Sequence, residues 1–304
     1  MTDFPSFYDP ANVEKIYDVD FQRVYQAGLD AEQSSAEQDT PRVLLFLIDA
    51  QIDFVFPAPT GRLTVPNALA DTRRTVEFIY RNVGSLTKIA ASLDTHTPNQ
   101  IFYPSWWIND AGEHPAPMTT ITSTDVENGT WRPTQEPAWS IDYVKQLESS
   151  GKKQLLIWPY HCLQGTLGHA LVPAVSEAMM YHAGARNAQP LYLPKGEIAR
   201  TEYYSAVEPE VKDTAHPAGT LRTEFLDTLA AYDLIYIAGQ ARSHCVLETI
   251  NSMLRYFDPS TVEKLRLIDD ATSSISGFEE ATEQRIDEFQ QQGVRLVKAA
   301  DPIA

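Results

Sequence analysis

Two cysteines, seven histidines and several acidic residues placed just after apolar runs are the groups in this 304-residue chain best suited to chemistry. Cys245 lies in LIYIAGQARSHCVLETI, where an apolar run ends at Gly239 and helical spacing begins near Ser243. That order predicts a strand, a turn and a helix with Cys245 in its first turn, where free N–H groups and the helix dipole favour a thiolate. The commoner fate of a free cysteine is a small core residue, and Cys162 is read that way. A thiol nucleophile needs a partner to take its proton and a positive charge beside it. Asp49 follows the run VLLFLI and Lys195 follows PLYLP, so both can reach the same end of a sheet. Taken singly, Asp49 reads as a cap or turn residue and Lys195, before Gly196, as an exposed turn lysine. In SLDTHTP, Asp94 and His96 are two residues apart, which in an extended strand end puts both side chains on one side. His161 follows the run QLLIWPY. Two imidazoles and a carboxylate make a three-ligand set with open positions, as Zn and Fe(II) sites have. His114, His169, His182, His216 and His244 are read as surface or satisfied core residues.

The elements that must position these groups follow from hydrophobic period. Apolar runs recur at 43–48, 89–93, 154–158, 190–194, 234–238, 265–268 and 294–297, and most read as buried strands. Segments with helical spacing lie between them at 69–83, 166–183, 220–231, 243–257 and 278–292. Such alternation predicts a parallel sheet covered by helices, with the site at the carboxyl ends of the strands. Asp49, Asp94, His96, His161, Lys195 and the stretch from Gly239 to Cys245 all fall there. Residues 1–40 read as an extension and linker with one helix near 12–30, and 41–304 as one α/β domain. Residues 101–150 hold four of the five tryptophans (Trp106, Trp107, Trp131 and Trp139) and read as an irregular insertion near the site mouth.

Forty-one acidic against 24 basic side chains give a net charge of -17, which repels phosphate backbones and anionic membrane surfaces. Neither nucleic acid nor a membrane is an expected partner. The first residues lack the features of a secretory signal, so a cytoplasmic location is expected. Two cysteines are too few for a disulfide framework.

Five segments together resemble the nicotinamidase and pyrazinamidase branch of the isochorismatase-like cysteine hydrolases: IDAQIDF at 48–54, SLDTHTPNQ at 92–100, WPYHCLQGT at 158–166, KGEIARTEYYSAV at 195–207 and AGQARSHCV at 238–246. The resemblance implies a three-layer α/β fold whose mostly parallel six-stranded sheet carries helices on both faces. It implies a catalytic trio of Asp49, Lys195 and Cys245. It also implies one divalent metal on Asp94, His96 and His161, with zinc first and iron or manganese as alternatives. Further implications are a cis peptide between Gln240 and Ala241 and an oxyanion hole from the Ala241 and Cys245 N–H groups. Phe54 and Trp158 would contact a substrate whose ring nitrogen meets the metal. The implied reaction converts nicotinamide to nicotinate and ammonia. Another small amide, a carbamoyl or ureido compound, and a catalytically silent binding role are the alternatives. The expected partner is a small-molecule amide, and a homo-oligomer is compatible with the fold. Gln100 stands where several relatives have a further histidine ligand, and the 1–40 extension and 101–150 insertion have no counterpart in the small bacterial enzymes.

Overall fold

In the computed structural model, which describes residues 4–150 and 153–304, one parallel sheet is built from β1 (Val43–Ile48), β2 (Lys88–Asp94), β3 (Leu191–Lys195), β4 (Leu234–Gly239), β5 (Leu265–Ile268) and β6 (Arg295–Val297). The spatial order is β6-β5-β4-β1-β2-β3, and every neighbouring pair is parallel. β1 is buried along its whole length. Its side chains alternate between faces: Leu44, Phe46 and Ile48 enter one core, while Val43, Leu45 and Leu47 enter the other. A continuous apolar run is what a strand covered on both faces requires.

The helices are α1 (Phe21–Leu29), α2 (Ala68–Arg81), α3 (Pro137–Ser149), α4 (Pro173–Arg186), α5 (Thr223–Ala230), α6 (Leu247–Tyr256) and α7 (Glu279–Gln291). Val76 and Ile79 of α2 and Val175 and Met179 of α4 cover one face of the sheet. Leu229 of α5, Ile250 of α6 and Phe289 of α7 cover the other. The expected three layers are therefore present.

Three expectations are corrected. The run at 154–158 is not a sheet strand: Leu155–Leu156 pairs antiparallel with Thr120–Ile121 in a separate ribbon, because a short apolar run does not by itself say which partner it finds. The helix expected at 166–183 begins only at Pro173, whose ring suits the first helical position. Residues 101–150 are not irregular throughout. They include α3, a helical turn at Ser123–Glu127 closed by a Thr122–Asp125 capping box, and the Trp107–Ile108 strand paired with Arg132–Pro133. Trp106 and Trp107 are core residues here, their Nε1 groups donating to Ser140 Oγ (2.9 Å) and Ile101 O (2.6 Å).

The helix expected near 12–30 is a 3-10 turn at Pro10–Glu14 followed by α1. α1 lies against α4 with glycine at the contact on each side: a Cβ on Gly28 would stand 2.4 Å from Tyr181 O, and one on Gly184 2.4 Å from Tyr25 O. The fully buried Arg186 of α4 donates to Ser34 O (2.7 Å) and pairs with Asp39. Asp39 in turn accepts from Thr87 Oγ1 (2.7 Å) just before β2. Among the described residues, no helix is long and apolar enough to cross a membrane.

Candidate active site

The carboxyl ends of the four adjacent strands β4, β1, β2 and β3 deliver the residues singled out above to one place. Asp49 follows β1, Asp94 ends β2, Lys195 ends β3, and Cys245 sits in a π-helical turn, Arg242–Val246, between β4 and α6. Asp49, Lys195 and Cys245 are all buried. Lys195 Nζ lies 2.9 Å from Asp49 Oδ2, 2.9 Å from Asp94 Oδ1 and 3.5 Å from Cys245 Sγ, and donates to Tyr203 O at 2.8 Å. Ser92 Oγ donates to Asp49 Oδ1 (2.6 Å) and accepts from the Asp49 N–H (3.1 Å), fixing the carboxylate on the side away from the lysine. Asp49 Oδ2 has the Lys195 charge beside it but no hydrogen bond of regular geometry.

Burial decides the charge states. It pushes the Cys245 thiol well above the ordinary range, and the Lys195 charge, though it pulls the other way, does not offset it. The thiol is therefore protonated at rest, whereas the helix-end position alone favoured a thiolate. Burial also raises Asp49, against the opposing pull of Lys195. For Asp94 burial acts upward, but His96 and Lys195 overcome it and hold this carboxylate well below its usual value. Lys195 feels burial downward and Asp49 and Asp94 upward, and the carboxylates win. Cys162 is buried outside this pocket, its N–H donating to Asp53 Oδ2 at 2.6 Å, and burial raises its thiol too.

The turn that carries Cys245 has an unusual hydrogen-bond pattern. Val246 N–H reaches back five residues to Ala241 O (3.1 Å) and His244 N–H reaches the same oxygen (3.0 Å). Among the described residues, the Ala241 N–H finds no backbone acceptor, and the Cys245 N–H finds none outside its own turn. Such π-turns recur at functional sites. The Gln240–Ala241 peptide is cis.

Asp94, His96 and His161 place their ligand atoms within 4.8 Å of one another. His96 Nδ1 lies 3.2 Å from Gly196 O and His161 Nδ1 2.7 Å from Pro159 O. A carbonyl can only accept, so in each neutral ring the proton is on Nδ1 and the Nε2 lone pair is free. Those lone pairs face Asp94 Oδ2 at 2.9 and 3.6 Å. Three acceptors turned toward one another suit a cation between them, so this donor set fits a divalent metal. Gly196, at φ 81°, makes room: a Cβ there would stand 2.7 Å from His96 Cε1. Gln100 is turned away, its Nε2 donating to Gly196 O (2.6 Å) and Ile198 O (3.3 Å).

Phe54, Leu63, Asp94, Trp158, His161, Glu202, Tyr204, Ala241, His244, Cys245 and Ile275 line the pocket above these groups. A larger cleft of about 630 Å³ lies against it and shares Tyr204 and His244. Phe54 and Trp158 both line this pocket: Phe54 meets His161 edge-on at 5.5 Å, and Trp158 donates from Nε1 to Tyr204 OH at 3.1 Å. Trp106, Trp107, Trp131 and Trp139 do not line the pocket.

Sequence reasoning missed four neighbours. Glu202 is a buried carboxyl whose burial, with Asp94 nearby, pushes it up to about 7. Tyr204 and His244 form the wall toward the outer cleft. Gln51 clamps Asp94 by accepting from its N–H (2.7 Å) and donating to its O (2.8 Å). Gln51, Glu202 and Tyr204 stand inside the matching segments 48–54 and 195–207, which was the signal available.

Comparison with protein-family models gives no match, and comparison with curated proteins gives none. Solved structures do match. A nicotinamidase/pyrazinamidase from Acinetobacter baumanii superposes with a TM-score of 0.56 at 23% identity, covering 87% of this chain and 99% of its own. The yeast nicotinamidase bound to the inhibitor nicotinaldehyde gives 0.57 at 20% identity, with 84% and 99% covered. A pyrazinamidase of Pyrococcus horikoshii in complex with zinc gives 0.50 at 20%, with 85% and 99% covered. The chain has the nicotinamidase fold. Nearly all of each neighbour is matched, so the nicotinamidase fold is present whole. At these identities the likeness is one of fold, and the chemistry must be argued from the residues.

Proposed function

We propose that this chain is a cysteine amidohydrolase that converts a pyridine carboxamide, nicotinamide first, to the carboxylate and ammonia. One observation carries the reading: the Asp49, Lys195 and Cys245 cluster and the Asp94, His96 and His161 set lie side by side beneath one pocket, with Lys195 ion-paired to both Asp49 and Asp94.

Asp49, whose carboxyl lies beside the thiol, takes the Cys245 proton as the carboxamide arrives. Burial keeps that proton on sulfur until then, and Lys195 compensates the charge as it moves. The thiolate attacks the carboxamide carbon and the carbonyl oxygen becomes an oxyanion. The Ala241 and Cys245 N–H groups, with no acceptor outside the turn that carries the thiol, are the donors for it. The C–N bond breaks as Asp49 returns the proton to nitrogen, and ammonia leaves a thioester on Cys245. Asp49 then takes a proton from water, hydroxide adds to the thioester, and the C–S bond breaks to release the carboxylate and restore the thiol.

Asp94, His96 and His161 would hold one divalent metal, with zinc favoured by the donor set and by the zinc complex of the Pyrococcus horikoshii pyrazinamidase. When bound it supplies a Lewis acid for a ring nitrogen. Phe54 and Trp158 would flank the ring. A compact 41–304 catalytic domain carrying the 1–40 extension, a cytoplasmic setting and a small-molecule partner complete the reading.

The test is ammonia release from nicotinamide, pyrazinamide and benzamide, with metal content measured on the same sample. Benzamide keeps the shape and lacks the ring nitrogen, so it should be turned over up to about 10⁴-fold less efficiently, as expected when a polar partner is left unpaired. Equal turnover of nicotinamide and benzamide would show that the ring nitrogen is not read.

A further inference from the structure

The two oxyanion donors are backbone groups, so no rotamer of their own can aim them. Their direction is set by whatever holds the residues on either side of Ala241. Gln240 is held by Asp71 of α2, which accepts from Gln240 Nε2 at 3.0 Å. Arg242 is held more firmly. Its guanidinium is buried although it lines no part of the Cys245 pocket, and it faces a separate polar cleft on the far side of the turn. Nε and Nη2 donate in parallel to Glu283 Oε1 (2.9 Å) and Oε2 (3.0 Å) of α7. Nη2 also lies 2.9 Å from Asp269 Oδ1, and Nη1 donates to Thr272 Oγ1 at 3.1 Å. The Arg242 N–H donates to Ser273 O at 2.8 Å.

We propose that Arg242, gripped by Glu283 and Asp269, is a positioning residue that aims the Ala241 and Cys245 N–H groups at the oxyanion. The inference rests on the amidohydrolase reading above. Tying α7 to the sheet is not its main task, because Ile286 and Phe289 already bury that helix in the core. The fork geometry is specific to arginine: two parallel bonds to one carboxylate fix a plane, which a lysine ammonium cannot do. A turn left free to tilt would keep the pocket and the thiol but lose aim, and a misplacement of about 1 Å in a reacting geometry can cost about 10²-fold in rate.

Three variants test this: Arg242→Met, Arg242→Lys and Glu283→Gln, the last at a side chain exposed enough to leave folding intact. Arg242→Met should lower kcat for nicotinamide by about 10²-fold and Glu283→Gln by roughly tenfold, with KM changed by less than about twofold. Arg242→Lys should recover part of the methionine loss. Alkylation of Cys245 by iodoacetamide and metal content should stay at wild-type values. Hydrogen exchange over residues 239–247 should speed up by roughly tenfold in Glu283→Gln with the unfolding midpoint unchanged. Wild-type kcat and exchange in both Glu283→Gln and Arg242→Met would overturn the proposal, as would a loss of kcat that tracks a loss of metal or of alkylation rate. If the wild-type protein releases no ammonia from nicotinamide, the functional reading fails, and the exchange measurement still decides the clamp.

Discussion

Lys195 is buried in contact with both Asp49 and Asp94, two carboxyls against one ammonium, beside the Asp94, His96 and His161 set that fits a divalent metal. A buried cation that balances two carboxylates cannot be removed without leaving charge uncompensated. Lys195→Met is therefore expected to destabilise the fold by about 3–5 kcal/mol, read as a lower urea midpoint, as well as to stop turnover. Asp49→Asn keeps the shape and removes the proposed base: kcat should fall by about 10²–10⁴-fold with metal content and fold retained, and unchanged kcat would remove Asp49 from the mechanism. These three acids and bases were legible because each directly follows an apolar run. Glu202 was not, because it lies in the long stretch between β3 and α5 where no period says which side chains turn inward. The resting state of Cys245 was not legible either: a helix end favours thiolate, and only the extent of burial reverses it.

Among the elements, α4 does more than cover the sheet. His182 lies on its buried face with Nε2 2.8 Å from Leu86 O, in the segment leading into β2. Burial, the largest cause, lowers it from 6.5 to about 4, so the ring is neutral and donates to that carbonyl. Between pH 6.5 and about 4 the unfolded chain binds a proton that the folded chain does not, so this contribution is present above pH 6.5 and is lost as pH falls toward 4. The loss is about 3 kcal/mol. Urea unfolding from pH 7 to 4 should show it, and His182→Gln should flatten that part of the slope. At the α1–α4 contact, Gly28→Ala meets Tyr181 O and Ala185 N, both backbone, and should cost about 1–3 kcal/mol by overpacking. A neutral result would mean the two helices separate at no cost. The six sheet strands and most helices could be read from period and from the Pro and Gly that bound them. Leu155–Leu156 could not, because its partner at Thr120–Ile121 lies more than thirty residues away, and pairing at that range leaves no local mark.

At the scale of the whole molecule, the nicotinamidase fold accounts for most of the chain, and residues 101–150 add structure beside it without adding a tryptophan to the pocket. Thr120 of that segment does line the outer cleft, so that cleft is where the segment can act. Stripping the metal with a chelator should lower the thermal midpoint, since a ligand at about 1,000 times its Kd stabilises by about 4 kcal/mol, and re-adding zinc should restore it. An unchanged midpoint would mean no metal was held. The most direct test of the account is ammonia release from nicotinamide by the metal-loaded protein and by Cys245→Ala, measured side by side. The account predicts turnover in the first and none above the uncatalysed rate in the second. Ammonia released equally by both, or by neither, would contradict it.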